Sequence, residues 1–397
     1  MFNERIGAMA PSAFMRLDAM MADLTPAPGV TPVNLTLGDP QIPPPRFILD
    51  AFEDNHALFG RYTATDGTPA YRQAVLDLMV RLYDLPEGMI ERDRNILPVA
   101  GLREGMAMLP QVVTPDEKAG QPTAILIPNP FYHPYAGAAV AAHGEPVFVP
   151  ALAENRFMPD FAGLDEATLS RTAAAFVCTP ANPQGTAASL DYLCEAIELA
   201  RAHDFLLIVD ECYAEVYFDQ RPPGALEACA RLGGSLDNVV AFHSVSKRSS
   251  APGLRSGFAV GDGEVLRRYF KLRNYVGVAV SRPILAAATA LLRDTEHVDA
   301  TRAYYKANFD AAHRILGNRY GYYRPDGGFF LWLDVGDGMA AAKRLWTEAA
   351  IKVVPGELMS REAPGSDAVG KPYIRVALVH DLASTIDSLE RMTEVLG

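Results

Sequence analysis

The residues best suited to chemistry lie in one stretch, Phe242-His-Ser-Val-Ser-Lys-Arg-Ser-Ser-Ala-Pro-Gly-Leu-Arg-Ser-Gly-Phe258. Lys247 stands there between hydroxyl side chains and ahead of a Pro-Gly turn, where an apolar run ends. A lysine that forms an imine must be held and partly desolvated, so that its neutral amine is available. Ser244 and Arg255 could bind a phosphate group beside it. The stretch predicts imine chemistry next to a phosphate site, although Ser/Gly/Pro loops that contain a lysine are also common on surfaces.

Three further segments contain residues that could take part in catalysis or ligand binding. Asp210, in Val209-Asp-Glu-Cys-Tyr213, ends an apolar run, where an aspartate most often caps a helix. Arg375, in Tyr373-Ile-Arg-Val-Ala377, alternates with apolar residues, and its ordinary interpretation is an exposed arginine on the wet face of a strand. Gly101-Leu-Arg-Glu-Gly105 lacks the glycine spacing of a dinucleotide fingerprint, which argues against a nicotinamide-dependent dehydrogenase.

Short apolar runs bounded by turn residues predict the strands that position these groups. The runs cover residues 123–128, 173–178, 205–210, 239–243 and 257–260. Between the second and third runs, apolar residues at three- and four-residue intervals predict a helix over residues 189–202. The alternation predicts an α/β fold with a mostly parallel sheet covered by helices, and ligands in such sheets bind at the carboxyl ends of the strands.

The length of 397 residues favours two domains in one chain. Residues 1–45, rich in proline, predict an arm and extended segment that packs with the smaller domain. Residues 46–284 contain the predicted sheet and an amphipathic helix over residues 71–82, and they form the predicted large domain. Residues 285–397 form the predicted small α+β domain, with helices between 284 and 316, strands near 329–333 and a closing helix over 386–396.

The composition of the chain argues against several classes of function. The formal net charge is -12 without a Lys/Arg cluster, so nucleic acid and anionic membranes are disfavoured partners. No apolar run approaches the roughly 18 residues of a membrane span, and we expect a cytoplasmic protein. The eight histidines lack metal-ligand spacing, so we expect no metal, although His133 and His243 adjoin other motifs. The four cysteines form no C-x-x-C pair, and we expect them to be reduced.

Ser244, Lys247 and Arg255, at spacings of three and eight, resemble the class I/II aminotransferases, which have the fold type I architecture and hold pyridoxal 5'-phosphate. The resemblance implies that Lys247 carries the cofactor as an imine, with Ser244 and Arg255 on its phosphate. It implies that Asp210 pairs with the protonated pyridine nitrogen, which keeps the ring a good electron sink. Tyr213 matches the tyrosine that meets the cofactor's O3' oxygen.

The same resemblance extends to motifs along nearly the whole chain. Asn182, in Thr179-Pro-Ala-Asn-Pro-Gln-Gly185, matches the asparagine that meets O3' and borders the substrate, and Tyr132 matches the aromatic residue that stacks on the ring. The backbone N–H groups of Leu102 and Arg103 match those that receive the phosphate at a helix start. By itself, an aromatic residue such as Tyr132 is more often part of a core.

Three matches concern the substrate and the neighbouring subunit. Gly38 matches a mobile N-terminal segment that closes over the substrate, and Arg375 matches the arginine that forms a two-pronged pair with the α-carboxylate. Tyr62 matches a tyrosine that reaches the phosphate of the neighbouring subunit, which implies a homodimer with shared sites. The implied reaction is an amino-group transfer in two half-reactions, with a lyase or decarboxylase on the same fold as the alternative.

Several segments resemble the succinyldiaminopimelate aminotransferases of lysine biosynthesis in particular, namely residues 96–105, 129–133, 176–180, 210–213, 242–258 and 324–335. This subgroup implies N-succinyl-L,L-diaminopimelate as donor and 2-oxoglutarate as acceptor. The long donor has further carboxylates, for which the sequence offers Arg16, Arg248 and Arg282. In Tyr275-Val-Gly-Val-Ala-Val-Ser-Arg282 the chain departs from the pattern of this subgroup, and an aminotransferase of another specificity stays an alternative.

Overall fold

Seven strands form one central sheet within residues 2, 4–7, 9–362 and 368–397, which are the residues described by this computed structural model. Their order across the sheet is Ile96–Val99, Gly257–Gly261, Val239–Ser244, Leu206–Asp210, Thr172–Cys178, Ala124–Asn129 and Glu145–Pro150. Neighbouring strands run parallel except for Gly257–Gly261, which runs antiparallel to both of its neighbours. The sheet is therefore mostly parallel, as predicted, and the five predicted strands all belong to it.

Apolar residues on both faces of the sheet pack against helices. Along Ala124–Asn129, the side chain of Leu126 belongs to one buried cluster, whereas Ile125 and Ile127 belong to another. This alternation is expected, because successive side chains of a strand point to opposite faces. The α-helices of the described residues are Glu4–Gly7, Ala13–Met21, Phe47–Asn55, Pro69–Tyr83, Leu102–Met108, Pro110–Val113, Pro134–Ala141, Glu166–Ser170, Leu190–Ala202, Ala225–Arg231, Val245–Arg248, Gly263–Val276, Arg282–Arg293, Glu296–Leu316, Gly338–Ala349 and Leu382–Leu396.

Polar residues cap the predicted helices at their N-termini. The Ser189 hydroxyl accepts a hydrogen bond from the backbone N–H of Tyr192 at 3.1 Å, at the start of Leu190–Ala202. The Asp381 carboxylate accepts one from Ser384 at 3.0 Å, at the start of the closing helix. Such caps satisfy backbone donors that the first turn leaves free. The first of these helices begins within one residue of the predicted start, whereas the closing helix begins at Leu382, four residues before the predicted 386. None of the described helices is long and apolar enough to cross a membrane.

Two strands of the sheet, Ile96–Val99 and Glu145–Pro150, were not predicted from the sequence. Both lie at an edge of the sheet and both contain proline, which an edge strand tolerates because one side of it forms no ladder. Proline within a short run weakens the sequence pattern of a strand. The pattern therefore finds the five inner strands and misses the two edges.

A second sheet of three antiparallel strands lies in the C-terminal part, in the order Phe330–Asp334, Tyr373–Ala377, Val354–Pro355. One apolar cluster joins this sheet to the helices Glu296–Leu316, Gly338–Ala349 and Leu382–Leu396. Leu17, Met21 and Leu35 of the N-terminal arm belong to the same cluster. The remaining short elements are the strand pairs Val33–Asn34 with Ile351–Lys352 and Glu117–Lys118 with Gln121–Pro122, and the 3-10 turns His56–Gly60, Ala153–Asn155, Pro252–Leu254, Arg319–Gly321 and Gly356–Met359.

The predicted domain boundary at residues 284/285 falls inside the helix Arg282–Arg293. Buried apolar side chains of this helix belong to the core cluster of the large domain, and the helix packs against Phe47–Asn55 and Pro69–Tyr83. The core therefore assigns it to the large domain. We infer that the boundary lies after this helix, near Asp294.

Candidate active site

A cavity of about 880 Å³ opens at the carboxyl ends of the large-domain strands and is bordered by the small domain. Its wall contains the final residues of three strands, Cys178, Asp210 and Ser244. The predicted site residues in its wall are Gly38, Leu102, Arg103, Tyr132, Asn182, Asp210, Tyr213, Ser244, Lys247, Arg255 and Arg375. Tyr62 is not among the wall residues, and its side chain is fully exposed in the single chain.

Lys247 lies in a single helical turn, Val245–Arg248, directly after the strand Val239–Ser244. The Ser244 hydroxyl begins this turn by accepting a hydrogen bond from the Ser246 N–H at 3.1 Å. The Lys247 Nζ donates to the Gly38 carbonyl oxygen and lies 5.2 Å from the centroid of the Phe329 ring. Burial lowers the pKa of the Lys247 amine, because removal from water penalises its charged form. The neutral amine is the form that attacks a carbonyl group and accepts a proton.

Asp210 ends a fully buried strand and is itself 3% exposed. Its Oδ2 accepts a hydrogen bond from the Tyr135 hydroxyl at 2.7 Å, and its Oδ1 accepts one from the Cys212 backbone N–H at 3.2 Å. Burial raises the pKa of this carboxyl group. No basic side chain of the described residues is within ion-pair distance of Asp210, so its charge is held by neutral donors alone.

Arg375 is also buried, at 4% exposure, in the strand Tyr373–Ala377. Its Nη1 donates to Asn182 Oδ1 at 2.9 Å, its Nη2 donates to the Thr36 carbonyl at 2.6 Å, and its guanidinium lies 4.2 Å from the Phe330 ring centroid. Its Nε has no hydrogen-bond partner, and burial lowers the pKa of the guanidinium to about 10. Among the described residues no carboxylate pairs with Arg375, so this buried cation is available to an anionic ligand.

Arg255 and the loop before Leu102–Met108 meet at another part of the wall. Arg255 has a φ of 51° and donates to the Pro252 carbonyl at 3.0 Å. A Cβ on Gly101 would lie 2.1 Å from Arg255 Nη2, so only glycine lets the guanidinium approach the helix start this closely. The backbone N–H groups of Leu102 and Arg103 begin this helix. Guanidinium, hydroxyl and backbone N–H groups together form a set of donors for an anion.

Two aromatic residues of the wall, Tyr132 and Tyr213, are held in place by a hydrogen bond and by contacts with other rings. The Tyr132 hydroxyl accepts a hydrogen bond from Arg103 Nε at 3.2 Å, and its ring makes an edge contact with the Tyr135 ring at 5.5 Å. Tyr213 is buried, and its ring packs edge-on against Phe329 at 5.2 Å. Burial raises the pKa of the Tyr213 hydroxyl well above its ordinary value, so this hydroxyl keeps its proton at neutral pH and can donate a hydrogen bond.

The three arginines proposed from sequence for a distal carboxylate do not line the cavity. Arg248 is buried, its guanidinium forms an ion pair with Glu215, and it donates to the Leu291 carbonyl at 2.6 Å. Arg248 is therefore already paired, and proposing it for the substrate was wrong. Arg282 is exposed at the start of Arg282–Arg293, and Arg16 is half-exposed on the helix Ala13–Met21.

Among the wall residues that sequence reasoning did not assign are Tyr135, Ser246 and Arg361. Tyr135 and Ser246 stand inside motifs that were recognised, and their hydroxyl groups beside Asp210 and Ser244 were a usable signal. Arg361 carries no such signal. Of the two histidines noted beside motifs, His133 lines the cavity, whereas His243 lies buried with its Nε2 2.8 Å from Glu211 Oε2.

The sequence matches the family described as "Aminotransferase class I and II" over residues 30–381. An LL-diaminopimelate aminotransferase of Desulforudis audaxviator (strain MP104C) is 30% identical and covers 99% of this chain and 97% of its own. Among solved structures, an aminotransferase from Neisseria meningitidis Z2491 matches at 36% identity with a TM-score of 0.95 and covers 100% of both chains. The aminotransferase AspB from Helicobacter pylori 26695 matches at 33% identity with a TM-score of 0.88, over 97% and 98% of the two chains.

The chain belongs to the class I and II aminotransferase family, with the fold type I architecture. It is a transaminase, and its cofactor is pyridoxal 5'-phosphate. The residues of the cavity fit this group at both of its charged ends. Asp210 is a buried carboxylate without a cationic partner among the described residues, which suits a protonated ring nitrogen. Arg255 is a guanidinium without a carboxylate partner there, which suits a phosphate.

Proposed function

We propose that this aminotransferase takes its amino group from N-succinyl-L,L-diaminopimelate and passes it to 2-oxoglutarate, as a cytoplasmic enzyme of lysine biosynthesis. The main support for an amino acid substrate is Arg375, a buried guanidinium without a carboxylate partner among the described residues. Such a charge is costly unless a ligand neutralises it, and an α-carboxylate matches its planar geometry. Asn182, hydrogen-bonded to Arg375, and Gly38, in the same wall, border the substrate.

The roles proposed for the cofactor-binding residues are those that the family motifs imply. Lys247 bonds to the cofactor covalently, and Asp210 pairs with its ring nitrogen. Tyr213 and Asn182 meet its ring oxygen, and Tyr132 stacks on its ring. Its phosphate is received by Ser244, Arg255 and the backbone N–H groups of Leu102 and Arg103, all of which line one cavity.

When bound, pyridoxal 5'-phosphate supplies a carbonyl carbon for the substrate amine and an electron-poor ring that stabilises negative charge at the substrate Cα. Lys247 accepts and returns the Cα proton, since burial lowers the pKa of its amine toward the range of a working base. Arg375 holds the α-carboxylate and thereby orients the Cα–H bond toward that amine. The side chains and the Gly38 carbonyl that surround Lys247 limit the access of water to it.

The donor is inferred from the family resemblance of the motifs and from the charge of the cavity wall. Besides Lys247, Arg255 and Arg375, the wall contains the cations Arg103 and Arg361, and its described carboxylates are Asp39 and Asp210. The succinylated donor presents carboxylates and a neutral amide at its distal end, which a cationic wall suits. Free LL-diaminopimelate, with a distal ammonium group, is the second candidate, because relatives about 30% identical carry that name.

A homodimer with shared sites is part of the proposal. Tyr62 is fully exposed in the single chain, as are large parts of Tyr275 at 79% and Val276 at 66%. Exposed aromatic and aliphatic side chains of this size are typical of surfaces that a partner covers. In this arrangement Tyr62 reaches the phosphate site of the neighbouring subunit.

The test measures the first half-reaction of the purified holoenzyme with a series of donors, followed by the absorbance of the cofactor. The series contains N-succinyl-L,L-diaminopimelate, LL-diaminopimelate, aspartate, alanine, phenylalanine and acetylornithine, each also measured with 2-oxoglutarate at steady state. We expect the succinylated donor to give the highest kcat/KM. A value about tenfold higher for free LL-diaminopimelate, a preference of about 1.4 kcal/mol, would replace it by the second candidate. The same margin for any other donor would refute both.

A further inference from the structure

Arg361 is a cation of the cavity wall to which neither the motifs nor the cofactor assigns a role. It lies directly after the turn Gly356–Met359 and Ser360. Its guanidinium lies 5.0 Å from the centroid of the Phe131 ring and 6.0 Å from that of Phe148. Arg375 makes its own ring contact with Phe330, so Arg361 and Arg375 are two separate guanidinium groups of the wall.

The backbone of Arg361 is fixed across the boundary between the two domains. Its N–H donates to Asn129 Oδ1 at 3.0 Å, and its carbonyl accepts a hydrogen bond from Asn129 Nδ2 at 2.8 Å. Two residues earlier, the Met359 carbonyl accepts a hydrogen bond from the Phe131 N–H at 3.0 Å. These bonds hold the segment against the end of the strand Ala124–Asn129. The Arg361 side chain is therefore presented from a positioned backbone rather than from a free loop.

The charge of Arg361 is not neutralised by the described part of the chain. Its Nη1 donates to the neighbouring Ser360 carbonyl at 3.0 Å, and no described carboxylate lies within ion-pair distance. Burial lowers the pKa of its guanidinium, and the positive charge of Arg16 lowers it further. Arg16 lies outside the cavity wall, but its charge is close enough to act on Arg361. Like charges that are brought together without acids destabilise the fold slightly unless an anion binds there.

We propose that Arg361 binds the distal carboxylate of the amino donor while Arg375 holds its α-carboxylate. This proposal rests on the proposed function, because it assumes a donor long enough to carry a second carboxylate. The two aromatic rings under the guanidinium leave its edge free for a two-pronged pair. Arg361 then determines substrate specificity, since a substrate without the distal carboxylate does not bind to it.

The experiment measures the binding of two unreactive acids to the holoenzyme by isothermal titration calorimetry. Pimelate has two carboxylates spaced as in diaminopimelate, and heptanoate has one carboxylate on the same number of carbons. In the native enzyme we expect pimelate to bind at least about tenfold more tightly, because one charge-assisted pair contributes about that factor. In Arg361→Gln we expect this ratio to fall below about twofold, with heptanoate unchanged. Arg314→Gln, at an exposed position of the helix Glu296–Leu316 outside the cavity wall, is the matched control and should keep the native ratio.

Two outcomes would overturn the role of Arg361: a native enzyme without preference for pimelate, or an Arg361→Gln enzyme that keeps the preference. Because the bonds to Asn129 use only the backbone of Arg361, the variant should fold, and an unchanged melting temperature checks this. Arg361→Lys should keep part of the ratio through its charge. The acids do not react, so the ratio tests Arg361 even if another donor proves to be the substrate. Conversely, a persistent ratio in Arg361→Gln leaves the donor assignment intact.

Discussion

Replacing Arg375 by methionine should leave the stability of the cofactor-free protein nearly unchanged, although the residue is buried at 4% exposure. Burial lowers the pKa of its guanidinium from 12.5 to about 10. At about 1.4 kcal/mol for each tenfold change, the buried charge costs the fold about 3 kcal/mol. The hydrogen bonds to Asn182 and Thr36 return about 1.5 kcal/mol each, because their donor is charged. The two contributions nearly cancel, so we expect a change in unfolding free energy within about 1 kcal/mol.

The choice of pH does not complicate this comparison. The pKa of the Arg375 guanidinium in the folded state lies below its value in the unfolded chain. The cost of the buried charge is therefore fully present at any pH below about 10, and it fades only as the pH rises above that value. Urea unfolding of both proteins at neutral pH measures the difference directly.

Substrate binding should respond very differently to the same replacement. A guanidinium has five N–H donors, and two of those of Arg375 are used within the protein. A carboxylate can take two of the remaining donors, and two charge-assisted hydrogen bonds contribute about 3 to 6 kcal/mol. The half-reaction of Arg375→Met with glutamate, followed by cofactor absorbance, should therefore need about 10² to 10⁴ times more substrate for half-saturation. Arg314→Met, at an exposed position outside the cavity wall, is the control.

Either of two results would refute this reasoning about Arg375. A loss of more than about 3 kcal/mol in unfolding free energy would mean that the guanidinium contributes net stability to the fold. Half-saturation within a few-fold of the native value would mean that another group holds the α-carboxylate.

Three further changes test the remaining assignments. Lys247→Ala should lower turnover at least about 10³-fold while the protein still folds and binds the cofactor weakly. Borohydride reduction of the native enzyme should attach the cofactor to Lys247, and a label on another lysine would contradict this assignment. Mixing Lys247→Ala with Tyr62→Phe chains should restore activity above that of either dimer, since one site of each hybrid is intact; a monomer in light scattering would exclude it. Glu211→Ala should cost about 4 kcal/mol in urea unfolding, because it leaves the buried Tyr83 hydroxyl and the Ala225 backbone N–H without their acceptor. A loss below about 1 kcal/mol would show that these groups find other partners.

Most of the sheet and of the candidate site could be predicted from the sequence, because the pattern that locates the buried strands also locates the residues at their carboxyl ends. A buried strand is the strongest local pattern in a sequence, and in a mostly parallel sheet its carboxyl end faces the ligand. Asp210 ends such a strand and Lys247 lies in the helical turn directly after another, so the pattern that finds the strand also places the residue. The same logic fails at the edges of the sheet, where Ile96–Val99 and Glu145–Pro150 contain prolines that weaken the pattern.

The domain boundary and the role of Arg248 could not be predicted for a different reason. An amphipathic helix such as Arg282–Arg293 shows that it has a buried face, but the sequence does not show which core that face joins. Likewise Arg248 stands beside Lys247 in the chain, and only the fold shows that it points to Glu215 instead of the cavity. Neighbours in sequence on one helical turn face different directions.

Arg361 could not be predicted from the sequence, because no motif around it indicates a role. Its position depends on Asn129, more than two hundred residues earlier, whose side chain bonds both the N–H and the carbonyl of Arg361. Asn129 itself ends a predicted strand, so its own place at the cavity edge was foreseeable. The residue that it holds was not, since a side-chain amide can bond to any free backbone segment that the small domain brings near. If Arg361 holds the distal carboxylate, as we propose, substrate specificity depends on how the two domains meet, whereas the residues proposed to bind the cofactor lie mainly where the strands end.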